Sequence, residues 1–227
     1  MNQSTNKFTM NHSDALTIIQ QCKLYAILDT GYVKEELLSS TLNELIQAGA
    51  SVIQFRAKDY TEEQIRHHAK DLSSTCRGAN VLFAMNDFAD IAKSVSADIL
   101  HIGQDDGSLA EARKIVGEHC LIGRSTHSPE QASQARKEGF DYIGYGPLFP
   151  TPTKKGRPGI GMETIAEVEK AVGSQIPVFC IGGVKLNKLD QIREAGATRV
   201  VIVSDLLLAE SKKDYMTQVF SKLNSSK

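Results

Sequence analysis

Three groups of residues in this chain have types and spacings suited to anion chemistry. Gln54, Arg56 and Lys58 alternate through the run VIQFRAK. Period-two alternation in an extended segment sends all three to one side. There a planar guanidinium fork and an ammonium point charge match phosphate oxygens. Asn86-Asp87 and Asp105-Asp106 follow two further apolar runs. Two carboxylates completed by waters and phosphate oxygens is the usual way Mg2+ is held. The competing job for each Asp is to cap the helix that follows. Taken together beside the cationic run, Asp87 and Asp106 are expected to share a metal. Gly182-Gly183 and Ser204 close two later runs, where backbone N–H groups near a helix start can hold a phosphate. A tight turn needing positive φ would also ask for Gly-Gly. The stretch PTPTKKGRPGIG (150–161) carries Lys154, Lys155 and Arg157 and has the length of a lid. His127, in STHS, could transfer protons or pack at the helix start marked by Ser128-Pro129. His101, inside ILHIG, reads as a packed residue, and His67-His68 as surface.

These groups need a scaffold that gathers separate chain segments. The runs LYAILD (24–29), SVIQFRA (51–57), VLFAMN (81–86), ILHIG (99–103), LIGRST (121–126), YIGYGPLF (142–149), PVFCIGG (177–183) and RVVIVSD (199–205) are too short for helices and apolar enough for buried strands. Helical spacing lies between them, at Glu35–Ala48, Thr61–Arg77, 88–95, 109–117, 129–138, 163–172 and 187–195. A closing helix is expected at 212–223 and a short leading one at Asp14–Cys22. Strict alternation implies parallel strands with right-handed crossovers, and eight such units in about 200 residues have the size of a (β/α)8 barrel. An open doubly wound sheet would be signalled by G-x-G-x-x-G after the first strand, and LYAILDTGY has a single Gly. The expected fold is a single-domain α/β TIM barrel over 14–227 with a short N-terminal helix, preceded by a polar, disordered lead at 1–13. Active sites of such barrels sit at the C-terminal strand ends, where all the groups above fall.

Composition narrows the partners. With 26 Lys+Arg against 27 Asp+Glu and a net charge of −1, a nucleic-acid ligand is not expected. No apolar stretch reaches the roughly 18 residues of a membrane span, and MNQSTNKFTMNH has no apolar core for a secretory signal. Cys22, Cys76, Cys120 and Cys180 lie far apart without a C-x-x-C pair, so they are expected to be buried free thiols suited to a reducing cytoplasm. The residues alone thus describe a barrel enzyme with a metal-assisted anion site near strands two to four and a metal-free one near strands seven and eight. One diphosphate and one monophosphate would fit.

The strand ends Q-F-R-A-K, M-N-D, H-I-G-Q-D-D, G-R-S-T-H-S, G-P-L-F-P-T-P-T-K and I-G-G-V, in this order, resemble the thiamine phosphate synthase family over about Leu24 to Leu208. The resemblance implies joining of 4-amino-5-hydroxymethyl-2-methylpyrimidine diphosphate to 4-methyl-5-(2-phosphooxyethyl)thiazole, or its carboxylate form, with release of pyrophosphate. It implies Mg2+ on Asp87 and Asp106. It places Gln54, Arg56, Lys58, Asn86 and Lys154 on the pyrimidine diphosphate, and Thr151, Thr153, Gly183, Val203 and Ser204 on the thiazole phosphate. Ser125 would stand near the reacting centre, with Arg56 and Lys154 in catalytic roles. Family members usually have Q-L-R-E-K, so Phe55 and Ala57 depart from the pattern, and the missing Glu removes a partner for a neighbouring cation. G-R-S-T-H-S also resembles the related thiazole tautomerases, which use a His at the place of His127. Those usually lack the metal and diphosphate residues retained here. A non-catalytic phosphate-ligand barrel would not need the aspartate pair. The partners implied are small molecules, and a homo-oligomer is compatible with this reading.

Overall fold

The computed structural model describes residues 10–151 and 158–225. Eight strands form a closed barrel in sequence order: β1 (Leu24–Asp29), β2 (Val52–Arg56), β3 (Leu82–Asn86), β4 (Ile99–Ile102), β5 (Leu121–Thr126), β6 (Tyr142–Tyr145), β7 (Val178–Cys180) and β8 (Val200–Ile202). Every pairing is parallel, and β8 returns to β1. Each strand is apolar on both faces because each side meets a different core. Tyr25, Ile27, Val52, Leu82, Ala84, Ile99, Leu121, Tyr142, Phe179 and Val201 fill the barrel interior. Alternate residues such as Leu24, Ala26, Leu28, Ile53, Phe55, Phe83 and Met85 join an outer layer beneath the helices. Phe55 therefore faces away from the mouth, and its difference from the family pattern is one of packing.

The helices are α1 (His12–Gln21), α2 (Leu38–Gln47), α3 (Glu62–Gly78), α4 (Ala89–Ser94), α5 (Leu109–Val116), α6 (Pro129–Glu138), α7 (Ile165–Val168), α8 (Leu189–Glu194), α9 (Ser204–Leu207) and α10 (Lys212–Asn224). Their starts follow local chemistry. Thr61 with Gln64 and Ser108 with Glu111 form reciprocal capping boxes. Ser128 caps α6, with Pro129 in its first turn. α1 begins two residues before the expected Asp14, because the Asn11 side chain accepts from the Asp14 N–H. Its Ala15 and Ile19 join the interior cluster and close the barrel floor.

Four expected elements end differently. The strand expected at 142–149 stops at Tyr145, before Pro147, which has no N–H to give a ladder. The strand expected at 177–183 covers only Val178–Cys180, since Gly182 and Gly183 turn the chain at positive φ. The strand expected at 199–205 stops at Ile202, and Ser204–Leu207 forms the short helix α9. The helix expected at 163–172 is α7 followed by a wider-pitch turn at Glu169–Gly173. All four cysteines are buried free thiols, and burial pushes the Cys22 thiol up to about 11. Among the described residues no helix is long and apolar enough to cross a membrane.

Candidate active site

The C-terminal ends of the strands surround a cavity that is open to solvent. Of the residues singled out from the sequence, Gln54, Arg56, Asn86, Ser125, Thr151, Gly183, Val203 and Ser204 line it. Lys58, Asp87 and Asp106 stand at its β2–β3–β4 side, linked as described below. Thr153 and Lys154 lie outside the described residues, as does most of the stretch expected to form a lid.

The cationic side is built from the end of β2. Arg56 pairs with β1 Asp29 across the strand register, Nη1 to Oδ2 at 2.7 Å. Asp29 is buried (1% exposed) and also accepts the Gly31 N–H. The pair holds the guanidinium at the mouth with few rotamers open to it. Lys58, further out and half-exposed, pairs with Asp87. Asp87 takes a left-handed backbone at φ 67° and gives its N–H to the His101 carbonyl. That geometry turns its carboxylate toward the neighbouring β4 loop. There the Asp106 carboxyl accepts the Gly103 N–H at 2.7 Å and reaches Asp87. Neither aspartate caps a helix: Ser108 caps α5, and Phe88, just before α4, gives it no side-chain cap.

Burial pushes the Asp87 carboxyl above the usual range; Lys58 opposes this and the Asp106 charge adds to it. A carboxyl pair in contact needs either a shared proton or a cation. Among the described residues no three His, Cys, Asp or Glu side chains converge as a complete metal cage. Two carboxylates with open positions are the donor set Mg2+ takes when substrate oxygens and waters supply the rest. The residues present therefore fit that ion.

Across the cavity, Gly182 and Gly183 take φ of 94° and 63°. A Cβ on Gly183 would lie 2.8 Å from Phe149 Cβ, so the turn after β7 packs directly on the loop after β6. Phe149 donates its N–H to the Gly182 carbonyl, and Lys188 sits 3.6 Å over the Phe149 ring. Val203 and Ser204, at the start of α9, complete this wall. Asp205, next to Ser204, is structural: it accepts from the Leu186 N–H and the Tyr215 hydroxyl.

The floor was not foreseen from the sequence. Tyr25, Tyr142, Phe179 and His101 line the cavity. Tyr25 and Tyr142 are almost fully buried, with rings 5.7 Å apart. His101, expected only to pack, bridges the Tyr142 hydroxyl and Ser125 Oγ. Gly123 makes room for it all: a Cβ there would fall 2.1 Å from the Tyr142 ring. His127 also lines the cavity, its N–H held by Gln131 and its Nδ1 against the Gly146 carbonyl. Asp29 could have been found by carrying the period-two argument into LYAILD, where it follows Tyr25 and Ile27 inward. The tyrosines gave no such signal, because a buried aromatic in a strand reads as core.

A family model described as thiamine monophosphate synthase matches residues 24–206. A thiamine-phosphate synthase of Synechocystis sp. is 39% identical over 91% of this chain and 58% of its own length. One from Halalkalibacterium halodurans is 37% identical over 88% of this chain and 94% of its own. This chain therefore spans a little under two thirds of some curated relatives and nearly all of others. Among solved structures, a thiamine phosphate pyrophosphorylase from Pyrococcus furiosus superposes with a TM-score of 0.79 at 28% identity, over 91% of this chain and 97% of that one.

Proposed function

Because the chain belongs to the thiamine monophosphate synthase family, matched from residue 24 to 206, we propose that it condenses a pyrimidine methyl diphosphate with a thiazole phosphate to give thiamine phosphate and pyrophosphate. The observation that supports this reading is that charged strand ends and a Gly-rich turn face each other across one cavity. Arg56, Lys58, Asp87 and Asp106 stand on one side, and Gly182, Gly183 and Ser204 on the other. A diphosphate leaving group and a monophosphate handle need two such walls at a fixed separation.

In this reading the pyrimidine CH2–O bond breaks, its electron pair leaves with pyrophosphate, and the thiazole nitrogen lone pair forms the new C–N bond. Arg56, fixed by Asp29, faces the departing diphosphate and stabilises charge that grows as the bond breaks. Lys58 adds charge on the same side, and the resemblance gives Lys154 a like role. Asp87 and Asp106 would hold Mg2+, which when bound neutralises pyrophosphate oxygens. Gln54, Asn86 and Ser125 hold the pyrimidine ring above the tyrosine floor. Thr151, Thr153, Gly183, Val203 and Ser204 hold the thiazole phosphate, so the nucleophile meets the electrophilic carbon in one orientation. The apolar Phe179, Ile181 and Val201 surfaces keep water from capturing that carbon. The setting is cytoplasmic.

The test is incubation with both substrates and Mg2+, measuring pyrophosphate and thiamine phosphate together. Equal release of the two is expected. Isomerisation of the thiazole carboxylate phosphate without any pyrimidine, abolished by His127→Asn, would instead show a tautomerase.

A further inference from the structure

Arg124 is the charged residue of GRSTHS that the proposed reaction leaves without a task. It alternates with Ser125 along β5, so Ser125 lines the cavity while Arg124 is turned to the outer face. Ile122, two residues back on that face, lies in the layer beneath the helices. In the strand register Arg124 stands beside Ile102, the last residue of β4. The loop that carries Asp105 and Asp106 begins directly after it.

The Arg124 guanidinium carbon lies 5.3 Å from the centre of the Phe140 ring. From there Nη1 donates to the Gly107 carbonyl at 2.6 Å, and Nη2 to the Gln104 carbonyl at 3.1 Å. The two acceptors flank Asp105-Asp106. The loop returns a bond of its own, Gln104 Nε2 donating to the Ser125 carbonyl at 2.5 Å. Three bonds thus tie residues 104–107 to β5, the strand that bears Ser125.

The loop needs such a brace. Residues 105–108 are exposed, so little apolar burial fixes them. Asp106 Oδ2 accepts the Gly103 N–H at 2.7 Å, and Gly107 takes a φ of 97°. Those features fold the loop on itself without anchoring it to the next strand. Asp106 also faces the like charge of Asp87, which pushes it outward as long as no cation lies between them. A planar fork that meets two carbonyls at once fixes both position and direction, where a lysine ammonium is a single point charge.

We propose that Arg124 is a positioning residue for the acidic pair, holding residues 104–107 where Asp106 can share a divalent cation with Asp87. The ordering cost is then met in folding rather than in binding, which raises the affinity for the ion. The proposal rests on the synthase reading for the part that ion takes in the reaction.

Manganese takes the same oxygen ligands as magnesium, and its binding to the unliganded protein can be followed by electron paramagnetic resonance. Arg124→Lys keeps the charge and loses the fork; Arg124→Met keeps a stem over Phe140 and loses the charge. Both are expected to weaken manganese binding about tenfold, as loss of an outer partner of a metal site does. Charge alone predicts the opposite for Arg124→Met, because removing a nearby cation favours a divalent ion. Tighter or unchanged binding in that variant overturns the proposal. In turnover, Arg124→Lys is expected to raise the Mg2+ concentration for half-maximal rate by a similar factor. Its rate at saturating Mg2+ and its KM for the thiazole phosphate should stay within about twofold of wild type. A loss of rate that excess Mg2+ does not restore also overturns the proposal. Thermal melting checks the fold. If neither variant folds, Gln104→Leu, which cuts the tie from the loop side, is expected to weaken manganese binding in the same sense, and unchanged binding there overturns the proposal. A wild type that binds no manganese, or whose binding survives Asp87→Ala and Asp106→Ala, refutes the metal reading itself. Equal binding in wild type and Arg124→Lys overturns the positioning role alone.

Discussion

Asp29 matters through Arg56. With 2% of its side chain exposed against 15% for the arginine, the pair is mostly dry, and removing one member of such a pair costs far more than a surface ion pair is worth. Asp29→Ala is expected to lower stability by about 3 kcal/mol. It should also raise KM for the pyrimidine diphosphate on the order of tenfold while leaving KM for the thiazole phosphate nearly unchanged. Initial-rate kinetics with each substrate varied in turn, beside urea unfolding, checks both halves. Asp87 and Asp106 behave differently, because they sit at the rim rather than in the core. Asp87→Ala and Asp106→Ala are each expected to abolish Mg2+-dependent turnover with little change in melting temperature. Asp105→Ala, at the exposed neighbour, should leave turnover close to wild type; retained activity in the Asp87/Asp106 double variant would remove the metal assignment.

At the level of strands and loops, Asp98 shows how the barrel is tied between β3 and β4. Its carboxylate accepts the Phe83 N–H at 2.9 Å. Burial, more than that bond offsets, holds its carboxyl above the usual range. The folded state therefore binds this proton more tightly than the unfolded chain, and stability falls as pH rises from the unfolded value through the raised folded one. Asp98→Asn, which keeps an acceptor, is expected to melt higher than wild type at neutral pH. The difference should shrink as the pH is lowered below the ordinary Asp range, as calorimetric scans across pH would show. Gly123 constrains β5 in another way: Gly123→Ala drives a methyl into the Tyr142 ring and should cost about 1–3 kcal/mol. The element rhythm was readable because each strand is a short apolar run set between helical spacings. Its ends were less so. Gly182 and Gly183 read as part of a strand until φ is known, and SDLL after β8 reads as strand continuation until its four-residue helix is seen. The same holds for the site. Arg56, Lys58, Asp87 and Asp106 were legible because charge at a strand end is unusual. Tyr25, Tyr142 and Asp29 were hidden by their burial.

Taken as a whole molecule, the barrel is closed at one end by a segment that precedes its first strand. Ile19 of α1 is fully buried among Tyr25, Leu82, Leu121 and Tyr142. Ile19→Ala is expected to cost about 2–5 kcal/mol, and, because the contact lies beneath the floor, to leave KM for the thiazole phosphate unchanged. Urea unfolding with parallel kinetics would separate the two effects. The family match covers residues 24–206 and so omits α1, although the interior core depends on it.

That plug also dictates traffic. Among the described residues α1 closes the base and the cavity opens at the strand ends, with Gln54 and Tyr25 buried in its lining and Thr151 and Ser204 on the loops beyond β6 and β8. Whatever docks on the tyrosines has to arrive before its partner and cannot depart past it. Under the proposed reaction the expected queue is pyrimidine first, thiazole second, and an excess of thiazole phosphate should slow the reaction by occupying the doorway early. Substrate inhibition by the thiazole phosphate, relieved by raising the pyrimidine diphosphate, is the kinetic signature expected of a room with a single door.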